Sequence, residues 1–295
     1  MLRWFSLPAV SACFELGPRQ LGGHWVPTTD HQKKFIERLF PSGKELLEHI
    51  DPEELDVSAS SDGMKLFLKA TVKAEAIWTF PGEEVGEPEF HRLYRNHHEF
   101  IAPHALTLNS PQNPYPWVFS THFEEKKVDG LPHEVFKLET KDDKDQIYFT
   151  SAVFEEDQEA NPFELWARVV SIAEQYKYAE ETHTYNGIYF PKISIDVEES
   201  VPWPKGFQLS SPATKKWLEV EDAQQALKLE VDHLGFYEES KFEMTLSCSG
   251  PSEYGLKFLV LNGPITYWRV RNSRVMFCAI IGPEYFKDPK RKLEC

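Results

Sequence analysis

The run from Met64 to Phe80 constrains this sequence more than any other feature. Its apolar residues Leu66, Leu68, Ala70 and Val72 recur at every second position. A period of two places such residues on one face of a β-strand, because successive side chains point to opposite faces. A strand of this length lies near the upper limit for globular proteins and needs a large sheet to pair with. The run therefore predicts a sheet with long strands.

Shorter elements surround this strand. Thr29 and Asp30 can cap a helix, and a second short helix is predicted through Leu46 and Ile50. Asn161 precedes an amphipathic helix from Pro162 to about Tyr178 that carries Leu165, Val169 and Ile172 on one face. Alternating segments predict strands at 117–124, 133–138, 146–154, 185–197, 226–231, 256–261, 265–270 and 274–281.

The order of these elements predicts an α+β fold with a large mixed sheet, a second antiparallel sheet and several helices. The second sheet is expected to come mainly from the middle and the C-terminal end of the chain, with an Asp129-Gly130 turn between two of its strands. Glycines and prolines predict an irregular lead-in over 1–27. The folded domain is expected over 28–286, followed by a basic tail at 287–295.

Composition excludes several classes of function. The formal net charge of −15 repels phosphate backbones, so nucleic acid is not an expected partner. No apolar run reaches the ~20 residues of a membrane helix. Ser6 and Pro8 interrupt the apolar start of the chain, so a signal peptide is not predicted, which favours the cytoplasm. The four cysteines show neither close pairing nor the spacing of metal ligands.

No motif for catalysis or cofactor binding is present. A phosphate-binding loop, a dinucleotide fingerprint and a nucleophile elbow are all lacking. His97 and His98 are adjacent, so on a strand they would point to opposite faces. The carboxylate runs are typical of solvated faces in a chain this acidic. We therefore expect no catalytic residues, no metal and no cofactor, although a polar pocket formed only in the fold would reopen the question.

Four segments, in order, resemble the serpin family of serine protease inhibitors. They are Leu66–Val72 with Trp78 and Pro81, then Ile188–Ile195 with Pro191, then Ala226–Asp232 with Gly235, and finally Leu261–Pro264 with Tyr267–Asn272, Val275–Phe277 and Gly282–Pro283. In serpins the first, second and third belong to the main sheet, and the last forms the strands that close the fold.

The resemblance implies roles for particular residues. The structural family positions are Trp78, Pro191, Asn262 and Pro264, the hinge is Gly235, Phe236, Tyr237 and Glu238, and the reactive-centre loop contains Ser247, Cys248, Ser249 and Gly250. A scissile bond is expected near Ser249 and Gly250. The sequence departs from the family in lacking the resemblance to its N-terminal helices, and the fold is therefore expected to be N-terminally truncated.

The hinge departs furthest from the family pattern. Inhibitory serpins insert the cleaved loop as an extra strand, and small residues make that insertion possible. Phe236 and Glu238 replace such residues here, so overpacking and a buried carboxylate are expected to oppose insertion. The sequence predicts a non-inhibitory protein that binds a protein partner through the loop. A serine or cysteine protease inhibitor with the same loop as bait remains the alternative, and the family resemblance leaves an extracellular location open.

Overall fold

The structure is a computed structural model. It describes residues 2–20, 24–26, 29–30, 32–34, 37, 45, 47–61, 66–85, 99–101, 117–141, 144–151, 153–154, 162–200, 205–211, 216–220, 223–238, 257–261 and 263–289. The chain divides into two compact units. The first comprises residues 1–5, 75–195 and 228–295, and the second comprises residues 6–74 and 196–227.

Within the described ranges, the first unit contains a seven-stranded sheet. Its strands, in spatial order, are β1 (Leu2–Ser6), β21 (Arg274–Ile281), β20 (Ile265–Arg271), β11 (Asp145–Ser151), β10 (Val135–Glu139), β9 (Glu124–Lys126) and β12 (Glu181–Thr182). The pairings from β21 through to β12 are antiparallel. The predicted antiparallel sheet from the middle and C-terminal end of the chain is confirmed, including the turn at Gly130, where φ is +76°.

A second sheet of the first unit is mixed. Its five described strands, in spatial order, are β6 (Glu83–Val85), β8 (Trp117–Ser120), β13 (Gly187–Pro191), β19 (Lys257–Val260) and β7 (Glu99–Ile101). β19 runs parallel to both β13 and β7, whereas β8 pairs antiparallel with β13 and β6. The prediction that 117–124 joins the antiparallel sheet as one strand is therefore wrong. Its first part is β8 of this sheet, because pairing partners are chosen by tertiary contacts that local alternation does not encode.

A four-stranded sheet contains the segment predicted to be the hinge. Its spatial order is β14 (Ile193–Ser200), β17 (Gln224–Val231), β18 (Gly235–Glu238) and β5 (Ala74–Ile77). β18 pairs antiparallel with β17, so that Val231 lies opposite Phe236.

Among its described residues, the second unit contains short strands, the helix α1 (Leu7–Gln20) and a 3-10 helix at Pro52–Glu54. Its described strands are β16 (Lys216–Glu219), β15 (Gln208–Ser211) and β2 (His24–Val26) in one sheet and β3 (Leu55–Ser61) with β4 (Leu66–Val72) in another. The hydroxyl of Thr29 accepts a hydrogen bond from the backbone N–H of Gln32 at 3.2 Å, as predicted for a helix cap.

The irregular lead-in predicted for residues 1–27 is wrong, since β1, α1 and β2 all lie there. Phe14 of α1 is buried, and its ring lies 5.3 Å from that of Phe207. Burial of this face outweighs the weak helix propensity of Gly17 and Pro18, which lie near the end of α1.

The run from Met64 to Phe80 is likewise not one strand. It breaks at Lys73, whose backbone N–H donates to the carbonyl oxygen of Glu54 at 2.8 Å. β4 before the break pairs with β3, whereas β5 after it joins β18. Alternation continues through the break, and only the change of partner ends the strand.

The predicted amphipathic helix is confirmed as α2 (Pro162–Tyr178). Leu165, Val169 and Ile172 are fully buried, as their spacing predicts. Phe163 of α2 contacts Phe5 of β1 edge to face, with ring centroids 5.1 Å apart. Aromatic packing of this kind fixes the helix on the seven-stranded sheet.

A buried ion cluster ties two strands of that sheet together. Asp145 of β11 is fully buried. It accepts hydrogen bonds from Arg269 Nη1 at 3.1 Å and from Arg271 Nε at 3.0 Å and Nη2 at 2.5 Å. Burial acts to raise the pKa of Asp145, but the charges of Arg269 and Arg271 outweigh it and hold that pKa below its ordinary value.

Candidate functional site

The candidate site is the turn that joins β17 to β18, the position predicted to be the hinge. The carboxylate oxygen Oδ1 of Asp232 accepts hydrogen bonds from the backbone N–H groups of Leu234 at 2.7 Å and Gly235 at 3.2 Å. The N–H of Asp232 donates to the carbonyl oxygen of Gly235 at 3.0 Å. An aspartate that closes a turn in this way fixes the chain direction, so β18 folds back beside β17.

Trp78 holds this turn from the neighbouring segment. Its indole Nε1 donates to the carbonyl oxygen of Asp232 at 3.0 Å. Its backbone N–H donates to the carbonyl oxygen of Leu234 at 2.9 Å. Its ring is buried, with the ring of Phe236 5.8 Å away. The sequence predicted a core role for Trp78, which is confirmed, and the structure adds two hydrogen bonds to the turn.

Gly235 is required at this point by close backbone approach. A Cβ atom at this position would lie 2.3 Å from the carbonyl oxygen of Ala76 and 3.1 Å from Cα of Ile77. Both contacts are with backbone and cannot be relieved by rotating a side chain. Any larger residue would push β18 away from β5.

Phe236 follows Gly235 in β18. Its side chain is fully buried beside Trp78, and it pairs with Val231. The ring of Phe236 packs against the indole of Trp78, with ring centroids 5.8 Å apart. The described strand ends at Glu238, and the expectation that Phe236 and Glu238 oppose insertion of the cleaved loop stays a prediction.

A group of charged side chains lies next to the turn. Lys192, between β13 and β14, is buried, and its Nζ lies 2.5 Å from Oε1 of Glu84 and 2.9 Å from Oδ1 of Asp288. Nδ1 of His233 lies 4.0 Å from Oε2 of the same Glu84. The carbonyl oxygen of His233 also accepts from the N–H of Gly82 at 2.7 Å. β6 and the segment after β21 are thus connected to the turn.

Burial and charge have opposite effects on two of these groups. Burial raises the pKa of Asp232, and the N–H groups of Leu234 and Gly235 offset only part of this increase. Burial acts to lower the pKa of Lys192, but Glu84 and Asp288 outweigh it, so the Lys192 pKa lies above its ordinary value. Lys192 therefore carries its charge at neutral pH.

Other predicted residues lie elsewhere or outside the described ranges. Pro191 is buried at the end of β13, opposite Trp117, and Pro264 is buried just before β20. The residues of the predicted loop and one family position lie outside the described residues: Ser247, Cys248, Ser249, Gly250 and Asn262. Tyr237 and Glu238 are described as backbone of β18.

The sequence analysis missed Asp232, His233, Lys192 and Glu84. The local signal for Asp232 was present, because an aspartate three residues before a glycine at a strand end is typical of a turn. One continuous strand was predicted over 185–197, so the break between β13 and β14 at Lys192 was not expected. The first two residues of the predicted basic tail also make contacts, since the N–H of Lys287 donates to the carbonyl oxygen of Lys192 at 3.1 Å.

Two chemical properties of the described residues bear on function. Nowhere in the described ranges do three or more His, Cys, Asp and Glu side chains form a group that could hold a metal ion. No helix among them is long and apolar enough to cross a membrane.

The chain is similar to solved structures of serpins. Serpin48, described as a highly specific serpin of the insect Tenebrio molitor, is 10% identical with a TM-score of 0.40, over 87% of this chain and 66% of that one. A serpin from the trematode Schistosoma haematobium is 10% identical with a TM-score of 0.46, over 75% and 57%. The mouse protein-Z dependent protease inhibitor is 14% identical with a TM-score of 0.45, over 93% and 78%.

The chain thus spans about two thirds or less of the length of the first two of these proteins. No protein-family model matches the sequence, and no curated protein does. Similarity this loose does not transfer the role of any residue. The α+β fold class is confirmed by the described elements, and the solved structures to which the chain is similar are serpins, as the sequence resemblance predicts.

Proposed function

We propose that this chain is a divergent serpin-like protein that binds a protein partner, such as a protease, through the segment 239–256 between β18 and β19. The observation that supports the proposal is the anchored hinge. Gly235–Glu238 forms β18 beside β17, and Phe236 is fully buried against Trp78. A binding segment that starts from a fixed strand loses less conformational freedom when it meets a partner.

The same segment is poorly suited to insert further into the sheet. In a longer inserted strand, alternate residues would share the buried face of Phe236. The sequence supplies Glu238, Ser240 and Phe242 at those positions. Burial of a carboxylate without a partner costs several kcal/mol, so insertion beyond the first residues is unfavourable. We therefore propose binding without insertion, and no enzymatic activity.

The first test separates insertion from simple binding. An elastase-type serine protease is suitable because Ser247–Gly250 are small and neutral. We expect cleavage within 239–256, no complex that survives denaturing electrophoresis, and a melting temperature within about 2 °C of the uncleaved protein. A covalent complex, or a large rise in melting temperature after cleavage, would contradict binding without insertion.

The second test measures binding itself. The probe is an elastase-type protease whose catalytic serine is replaced by alanine, so that it binds without cutting. We expect reversible binding that is lost when residues 245–252 are replaced by a Gly-Ser segment of equal length. Equal binding by both proteins would remove the segment from the interface.

A second candidate function is inhibition of a serine or cysteine protease with the same segment as bait. The observation in its favour is that β18 already lies between β17 and β5 in the strand order. A sheet that accepts four residues here could extend the pairing after cleavage. The melting-temperature measurement above decides between the two candidates.

A further inference from the structure

We propose that the exposed stack of Phe80 on His122 is a docking site for an arginine side chain of a protein partner. The Phe80 ring would supply an aromatic face for the guanidinium, and Glu83 would supply a carboxylate to pair with it. The site lies outside the segment 239–256, so the inference does not rest on the proposed function.

The first observation is an aromatic side chain that is open to solvent. Phe80 is 51% exposed, and its ring centroid lies 4.3 Å from that of His122, with an angle of 15° between the ring planes. The register of β6 with β8, in which Glu83 lies opposite Phe119, places these two residues opposite each other when it is continued. The imidazole therefore covers one face of the phenyl ring, and the remaining exposed surface of the ring is available to a ligand.

The second observation is that the backbone is fixed on both sides of the ring. The N–H of Thr79 donates to the carbonyl oxygen of Glu139 at 2.9 Å, and the N–H of Gly82 donates to the carbonyl oxygen of His233 at 2.7 Å. Single exposed apolar side chains are common on protein surfaces and need no special explanation. Phe80 differs from them because a ring that is already held by its backbone and by a stack loses little conformational freedom on binding.

The third observation is the charge of this surface. The two segments that form it, 79–85 and 117–123, contain Glu83 and Glu84 but no lysine or arginine. Both glutamates are exposed, and Glu84 is already bound by Lys192 at 2.5 Å. No ion pair holds Glu83 within the described residues, so its charge is available to a ligand. The net charge of −15 also favours a cationic ligand.

Arginine matches the ring and the carboxylate better than other side chains do. Its guanidinium is planar, stacks on aromatic faces and pairs with carboxylates, whereas the ammonium of lysine is a compact and strongly hydrated charge. An apolar side chain would cover the ring but leave the charge of Glu83 without a partner. Lys141, an exposed cation whose N–H donates to the carbonyl oxygen of Ile77, lies before Phe80 in this arrangement, so we expect the arginine to approach from the Glu83 side.

NMR spectra of the whole chain, titrated with short peptides, test the site. The probe is a capped pentapeptide with one arginine between glycines, and matched peptides carry lysine or norleucine at the same position. We expect saturable shifts at Phe80, His122 and Glu83 with the arginine peptide. The lysine peptide should bind about threefold more weakly, and the norleucine peptide should give no saturable shift.

Variants of the chain locate the two contacts. Phe80→Ala and Glu83→Gln should each weaken binding of the arginine peptide by about threefold. Tyr178→Ala is the control for the ring, because Tyr178 is also a large exposed side chain among the described residues. Glu180→Gln, at an exposed glutamate, is the control for the charge. Both controls should bind as the wild-type protein does.

Three results would overturn the site. Shifts that do not saturate, or that spread evenly over the acidic surface, would do so even if a variant fails to fold. Equal binding of the arginine and norleucine peptides would show that the surface does not select a cation. If the arginine peptide binds only after residues 290–295 are removed, the occupant is the basic tail of the chain and not a partner. None of these results involves the segment 239–256, so each leaves the proposed function standing.

Discussion

Replacement of Gly235 by alanine is the sharpest perturbation of the hinge. The new Cβ would lie 2.3 Å from the carbonyl oxygen of Ala76, whereas ordinary contacts begin at about 3.5 Å. β18 must therefore move by roughly 1 Å. A shift of that size lengthens the 2.9 Å hydrogen bond from Trp78 N–H to the carbonyl oxygen of Leu234 beyond its normal range.

The expected cost follows from these two effects. Overpacking costs about 1–3 kcal/mol. A buried hydrogen bond that is broken adds about 1 kcal/mol or more. The sum, about 3 kcal/mol, corresponds to a roughly hundredfold loss of amide protection in residues 232–238. Hydrogen exchange measures the local loss, and urea unfolding measures how much of it reaches global stability.

Gly130→Ala is the matched control. Gly130 has a φ of +76°, and the nearest atom to a new Cβ would be Arg168 Nη2 at 3.8 Å. Its cost is backbone strain of about 1 kcal/mol without a steric clash, and protection of 232–238 should stay unchanged. If Gly235→Ala keeps its protection within about threefold of the wild-type value, the close approach of β18 and β5 is not what orders the hinge.

The other predictions concern the buried groups. Asp145→Ala should lower the free energy of unfolding in urea by about 3–5 kcal/mol because two buried guanidiniums lose their carboxylate, while Asp129→Ala, at an exposed turn, should change it by less than about 0.5 kcal/mol. Since the pKa of Asp145 is lowered on folding, its stabilisation is present above about pH 3.9 and is lost as the pH falls through the lower folded value; Asp145→Asn should therefore lose stability less steeply below pH 4. Burial raises the pKa of Cys13 to about 11 and also raises that of Cys278, so both thiols should resist a thiol reagent at pH 8 until urea unfolds the chain, as peptide mapping by mass spectrometry would show. Rapid labelling of Cys278 in the native protein would contradict its burial in β21.

The elements that the sequence determined are those whose signals are local. Helix α2 was predicted from Pro162 to about Tyr178 because a proline at the first position and apolar residues at helical spacing lie within one segment. Strands β20 and β21 were predicted for the same reason, as was the turn at Gly130. Trp78 was correctly assigned to the core, since a large apolar side chain in a strand-rich segment is seldom exposed.

Tertiary structure alone decided which segments meet. The break at Lys73 is invisible in the alternation, because it arises where the run changes from one pairing partner to another. Asp145 and Arg271 lie far apart in sequence, and only the register of β11 with β20 places them opposite each other. At the hinge, too, one part was predictable from the sequence and the rest depended on tertiary structure. The sequence marked Gly235, but the return of β18 beside β17, the burial of Phe236 and the approach of His233 to Glu84 depend on contacts between distant segments, which no local pattern can specify.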